Sequence, residues 1–326
     1  MIRYCLRHLS YLALLILAVT ALTFFLLRLA PGDFLSELSL NPQIPRELVE
    51  TLRHQYGLDK PWYVQYWRWL SQSLRGEFGY SLLYHRPVFA LIWERAGNTL
   101  LLALPTFAVG LATAIVLSLI SAWRRRRWPD RVISFLATAG LSLPTLVVSL
   151  VLLYVAARTG WFPIGDIHSS GFDELTLLGK LRDGLWHIML PMMALGLRVC
   201  AMFLRYLRAS LFDVLSEPFV VTAYAKGLTT AQVLLKHALP NAINPVLSVS
   251  GLVLANLLSG SFIVEIVMSW PGLGRLTLDA FMSRDVYLVM AGLITSSGLL
   301  LIGNALADLA LAWHDPRIRL QVNART

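Results

Sequence analysis

The chain has 326 residues, of which 56% are hydrophobic and only 14% charged, and its mean hydropathy is +0.62. Soluble domains carry about 25% charged residues, so this chain lacks the polar groups to clothe a water-facing surface, and much of it is expected to sit in lipid. The net charge of +9 does not by itself imply nucleic acid; what matters is where the arginines and lysines fall along the chain.

Arg3, Arg7 and His8 precede an apolar run from Leu9 to Leu27. A secretory signal core spans about 7–15 apolar residues followed by a small-residue cleavage site. This run is longer and ends in Arg28-Leu29-Ala30-Pro31-Gly32-Asp33, so it reads as a retained first membrane helix. About 20 apolar residues cross the hydrocarbon core, and six stretches qualify: 9–30, 98–122, 132–157, 186–207, 243–267 and 286–312. The fourth begins with Met189-Leu190-Pro191, a predicted kink, is interrupted by Arg198, and is closed by Arg205 and Arg208. Between the first and second stretches, Pro45 to Tyr56 reads as a short helix with Gly57 at its end. Trp62, Tyr63, Tyr66, Trp67 and Trp69 then cluster, as an interface belt, a packed cap or a stacking surface for cargo.

Cationic side chains in short loops mark the cytoplasmic side. Arg124 to Arg127 and Arg131 lie between the second and third stretches, Arg205, Arg208, Lys226 and Lys236 around and after the fourth, and Arg317, Arg319 and Arg325 after the sixth. All share one side with Arg3 and Arg7, which puts both termini in the cytoplasm and residues 31–96 outside. Anionic lipid is a second use for Arg124 to Arg127. The two cysteines, Cys5 and Cys200, have no metal-ligand spacing, and seven scattered histidines form no metal motif. There is no Gly-x-x-x-x-Gly-Lys-Ser/Thr phosphate loop, so any nucleotide that drives this protein must bind to another chain.

Residues 209–240 are too polar to span and fall on the cytoplasmic side. Ser216-Glu217-Pro218 reads as a helix start, with a cap, an acid and a proline in the first turn. Phe219 to Lys226 makes two turns, ended by Gly227 as a C-cap glycine. Thr229 restarts a helix, with Gln232 completing a capping box, and this helix reaches about His237 before Leu239-Pro240 leads into the fifth span. Two short helices joined at a glycine bend make either an ordinary loop or a rigid knuckle that transmits force from a soluble partner.

The run Phe219-Val-Val-Thr-Ala-Tyr-Ala-Lys-Gly-Leu228, followed by His237-Ala-Leu-Pro240, resembles the EAA loop of ABC importer permeases. Ala223, Gly227, Leu239 and Pro240 fall at the family spacing, while Val221 stands where the family has glutamate and His237 where it has an aliphatic residue. Pro31-Gly32-Asp33, Gly57-Leu58-Asp59-Lys60-Pro61, Gln65-Tyr66, Gly76-Glu77-Phe78-Gly79-Tyr80-Ser81, His187 to Pro191, Ser269 to Arg275 and Asp315 to Arg319 resemble the dipeptide, oligopeptide and nickel branch. The resemblance implies an all-α integral membrane protein with six transmembrane helices and an ABC importer permease core of type I. Its parts would be an N-terminal helix at 1–30, an extracytoplasmic segment at 31–96, and a five-helix core at 97–326 carrying the coupling loop 209–240.

By that resemblance Thr222, Ala223, Ala225, Lys226, Gly227, Leu228, His237, Leu239 and Pro240 couple the chain to an ATPase. The chain itself would hold no cofactor, with ATP bound by two partner ATPase subunits. A paralogous permease subunit and an extracytoplasmic solute-binding protein would complete the assembly in the bacterial inner membrane, with no role for nucleic acid. Asn256, Ser261, Glu265, Trp270, Pro271 and Gly272 are candidates for pore or gate. An acid at the depth of Glu265 faces a cavity or partner, or bonds to the turn that follows it, and Asn256 and Ser261 serve equally well as interhelical glue. The cargo would be a peptide, dipeptide, nickel complex, glutathione or related small solute. A permease of the same fold exporting a polyamine or antimicrobial peptide is the rival reading. A membrane enzyme is a remote one, since it needs a cluster of His, Asp or Glu at one depth.

Overall fold

The computed structural model describes residues 2–29, 45–55, 57 and 59–314, so Pro31-Gly32-Asp33, Tyr56, Leu58 and the sequence from Asp315 onward lie outside the described residues. Among the described residues, secondary structure is almost wholly helical, apart from a two-residue hairpin pair β1 (Tyr80–Ser81) and β2 (Arg86–Pro87). The helices are α1 (Ile2–Leu29), α2 (Arg46–Gln55), α3 (Trp62–Ser73), α4 (Val88–Trp123), α5 (Trp128–Ser142), α6 (Thr145–Thr159), α7 (Leu177–Val214), α8 (Pro218–Ala225), α9 (Leu239–Ala242), α10 (Asn244–Gly260), α11 (Phe262–Val267), α12 (Leu273–Met282) and α13 (Val286–His314). Among the described residues four helices are long and apolar enough to cross a membrane, and a bent pair would make a fifth; α1 adds a shorter apolar stretch, Leu14–Leu26.

The third predicted span is not one straight helix. α5 and α6 meet at an angle of 102° across Leu143 and Pro144. Proline disfavours helical dihedrals at the residue before it, and Leu143 sits at φ −76°, ψ 126°, outside the helical region. The fourth span is longer than predicted. It runs for 38 residues, starting at Leu177 under the Thr176 hydroxyl, which accepts from Gly179 N–H, and passing through Pro191 within one helix.

The described residues fold as two compact units, one drawn from those within 1–98 and 272–298, the other from 99–271 and 299–314. In the first, Tyr66 and Trp69 of α3 are buried with Phe24 of α1 and Met290 of α13, and the Tyr66 hydroxyl lies 3.0 Å from Thr20 Oγ1. The aromatic cluster is thus half core and half surface, because Trp62, Tyr63 and Trp67 point outward. Asp285 is fully buried and satisfied. One carboxylate oxygen accepts from Ser81 Oγ at 2.7 Å and from the N–H groups of Leu82 and Leu83, while the other accepts from Leu288 N–H in the first turn of α13. The Ser81 that closes the Gly76–Ser81 motif is therefore an anchor for the turn after β1.

In the second unit α7 is the mast on which the others pack. Its buried side includes Leu195, Val199, Phe203, Leu207 and Leu211. Close helix approaches are set by glycine: a Cβ on Gly110 of α4 would stand 2.7 Å from Val199 Cγ1, and one on Gly140 of α5 would stand 3.0 Å from Ala201 Cβ. Valine in a helix has one strongly preferred χ1, so Val199 cannot rotate out of the way. Gly110→Ala is expected to cost about 1–3 kcal/mol through overpacking. Gly184→Ala on α7, where nothing lies within 4 Å, should instead be neutral or stabilising by about 0.5–1 kcal/mol. Thermal unfolding of the two purified variants checks this, and equal melting temperatures would contradict the close α4–α7 crossing.

Candidate functional site

The segment after α7 is a knuckle whose ends are satisfied by its own atoms. α8 starts at Pro218 with Glu217 in the N-cap position. The predicted cap, Ser216, is not one: its hydroxyl donates backward to Phe212 O at 3.0 Å, closing the end of α7 instead. α8 ends in a Schellman motif. Gly227 N–H donates to Tyr224 O at 2.9 Å and Leu228 N–H to Ala223 O at 3.3 Å, while Gly227 takes φ +79°, the left-handed conformation in which glycine carries no Cβ penalty. The capping box is complete, with Thr229 N–H donating to Gln232 Oε1 at 2.9 Å and Gln232 N–H to Thr229 Oγ1 at 3.4 Å.

After the turn Thr230–Gln232 the chain widens into a π-helical stretch, Val233–Ala238, in which Leu239 N–H reaches back to Leu234 O. Pro240 follows at once; its ring would otherwise press on the carbonyl four residues back, and the extra residue in the turn relieves that contact. Asn241 Nδ2 donates to the His237 carbonyl at 2.7 Å.

Val220, Ala223 and Val233 are buried together, with Leu215 and Leu228 packed on them, so α8 is fastened both to the helix after it and to the foot of α7. The other side of α8 is open. Phe219, Val221 and Tyr224 are 41%, 68% and 44% exposed, Thr222, Ala225, Lys226 and Gly227 are exposed beside them, and Thr222 Oγ1 donates to Pro218 O. His237 and Leu239 are half-buried and Pro240 is exposed. Of the predicted coupling residues, Ala223 and Leu228 thus shape the knuckle, while Thr222, Ala225, Lys226 and Gly227 lie on its outer surface.

The second predicted group divides. Glu265 is fully buried and accepts from Thr99 Oγ1 at 2.9 Å and Ser261 Oγ at 2.8 Å, which ties α4 to the junction of α10 and α11. Asn256 is exposed on α10, Trp270 is buried in the core with Met268 and Val264, Pro271 is half-buried, and Gly272 is an extended residue leading into α12. Among the described residues no group of three His, Cys, Asp or Glu side chains could hold a metal.

One polar centre was missed by sequence reasoning. Asp130, 4% exposed, accepts from Ser121 Oγ at 2.5 Å, from Arg208 at 2.8 and 2.9 Å, and from Arg126 N–H at 3.0 Å. The guanidinium groups of Arg208 and Arg125 lie 4.5 and 4.7 Å from the centre of the Phe212 ring. The available signal was an aspartate in the first turn of a helix, with Trp128 and Pro129 between it and an arginine run.

Residues 114–320 match the family described as binding-protein-dependent transport system inner membrane component, and residues 1–103 match its N-terminal companion family. The oligopeptide transport system permease protein AppB of Bacillus subtilis (strain 168) is 36% identical over 320 residues, covering 98% of this chain and 99% of that one. The glutathione transport system permease protein GsiC of Escherichia coli (strain K12) is 35% identical over 321 residues, covering 98% and 99%. Among solved structures, an inward-facing form of the MetNI methionine ABC transporter aligns with a TM-score of 0.56 at 14% identity, covering 69% of this chain and 96% of that one, a likeness of fold. The chain belongs to the family of inner membrane components of binding-protein-dependent transport systems: it is a multi-pass permease subunit of an ABC importer, and not an enzyme.

Proposed function

We propose that this chain forms half of the pore of an importer of peptides or small peptide-like solutes. It would work with a paralogous permease chain, two ATPase subunits that hold the ATP, and an extracytoplasmic solute-binding protein. The observation that carries this reading is the end-to-end likeness to permeases of oligopeptide and glutathione transport. A binding-protein-dependent system does not favour the exporting rival.

The outer surface of α8 is the proposed ATPase dock. Val221 occupies the position where a glutamate would offer a salt bridge, and it is an exposed apolar side chain, with Tyr224 on the same side of the helix three residues on. Docking there rests on burial of apolar area, at about 25 cal/mol per Å², rather than on an ion pair. The ATPases can shift the pore between states only if their contacts differ between those states. The knuckle supplies such a difference, because Leu215 packs on Val220 and Ala223, so that a push on α8 moves the foot of α7. Alternating access then follows as helices rock around a central path, with Asn256, Ser261, Glu265, Trp270, Pro271 and Gly272 as the proposed pore or gate residues.

The arginine runs support an orientation with both termini in the cytoplasm and residues 31–96 outside. Cysteines placed at Ser71 and Ser216 should therefore be labelled by an impermeant reagent from opposite faces of the membrane, and labelling of both from one face would overturn the orientation. Gly227→Val forces a β-branched side chain into φ +79°, at about 1–3 kcal/mol of local strain. The variant is expected to insert and retain its partner permease but to lose ATPase co-purification or the ATP turnover stimulated by loaded binding protein. Gly227→Asn, which tolerates the left-handed region better, should lose less. Full stimulation in Gly227→Val would show that the knuckle does not couple the two halves.

A further inference from the structure

Arg198 stands ten residues before Arg208 on α7, about 15 Å along the helix axis. Arg208 is held by Asp130, two residues from the exposed Trp128 and beside the arginine run, and such a belt of Trp and Arg marks a membrane edge. In a hydrocarbon core about 30 Å thick, Arg198 is therefore near the middle, too deep for its side chain to snorkel out.

The stripe of α7 that carries Arg198 changes character along its length. His187, Pro191 and Ala194 are buried. At the same three- or four-residue spacing, which keeps side chains on one helix face, the stripe continues as Arg198, Met202, Arg205 and Ala209. There Arg198, Arg205 and Ala209 are exposed and Met202 is half-buried. Neither Arg198 nor Arg205 forms an ion pair or hydrogen bond through its guanidinium among the described residues. An unpaired charge at mid-membrane depth is costly, so it faces water or an opposite charge rather than lipid.

We propose that Arg198 and Arg205 form a carboxylate-binding stripe on the wall of the transport path, and that it takes the carboxylate of the cargo in transit. The proposal rests on the peptide-import reading. A guanidinium grips a carboxylate with two parallel N–H donors. Two such groups about 10 Å apart give successive sites, so that cargo is held in the path yet can leave it, as conduction through a pore requires.

Two experiments test it. In the assembled transporter, with Cys5→Ser and Cys200→Ser as background, Arg198→Cys in inside-out vesicles should react with water-soluble methanethiosulfonates. The anionic reagent should react several-fold faster than the cationic one, because Arg205 remains. Reaction with lipid-soluble maleimide alone, or with no reagent because another chain covers the site, overturns the proposal. In cells, uptake of trialanine and of its C-terminal amide is compared per assembled complex. Arg198→Gln should lower the acid-to-amide uptake ratio at least tenfold, and Arg198→Lys should restore part of it. An unchanged ratio with both uptakes reduced overturns the proposal and assigns Arg198 to an acidic side chain of the partner permease. Wild-type protein that moves neither peptide refutes the peptide reading, and thiol reactivity then decides on the stripe alone.

Discussion

Asp130 has lost its water, and four donors replace it: the Ser121 hydroxyl, the Arg126 amide and two nitrogens of Arg208. A buried carboxylate left without partners is strongly unfavourable, whereas a hydrogen-bonded pair is tolerated. The charge therefore fixes where α4, α5 and α7 can stand relative to one another at this end of the second unit. Arg126 takes φ +61°, an uncommon conformation for a residue other than glycine, and its amide is thereby aimed at Asp130. Everything on the same end of α7 inherits that fixity, including Phe212 beneath two guanidinium groups and Leu215 at the root of the knuckle.

Much of this arrangement was legible in the residues. Of the six apolar runs, four coincide with described helices long and apolar enough to cross a membrane, a fifth with the bent pair, and the first with a shorter apolar stretch; length and hydropathy decide partition into lipid. The knuckle was legible in finer detail: Gly227 takes the positive φ that a C-cap glycine implies, and Thr229 with Gln232 forms the capping box. Both are local motifs, decided within five or six residues, where sequence carries most of the information. The end-to-end run of permease-like motifs likewise anticipated the family.

The differences arose where distant parts of the chain compete. Ser216 had a nearer acceptor in the last turn of α7, and so closed that helix rather than opening α8. Pro144 fell inside an apolar run that hydropathy alone reads as continuous, yet Leu143 before it is extended rather than helical, and the segment bends by 102° there. Asp285 and Ser81 lie 204 residues apart in sequence, and no periodicity relates them. Glu265 could be placed near one end of its span by counting, but the hydroxyl from Thr99 on another helix could not. For the same reason the exposure of Arg198 was invisible: sequence marks the charge, and only packing tells which side of a helix is left uncovered.

The closure of the knuckle upon itself bears on how fast it can be recognised. Its turn amides, its glycine and its capping box are satisfied before any other molecule arrives, and its inner side is already packed. A segment that must order as it binds gives up part of its interaction energy to conformational entropy. This one has little left to order, so encounter with the proposed ATPase partner would be limited by diffusion and orientation rather than by folding. For a surface of that kind, sequence changes act mainly on how long a complex lasts and much less on how quickly it forms.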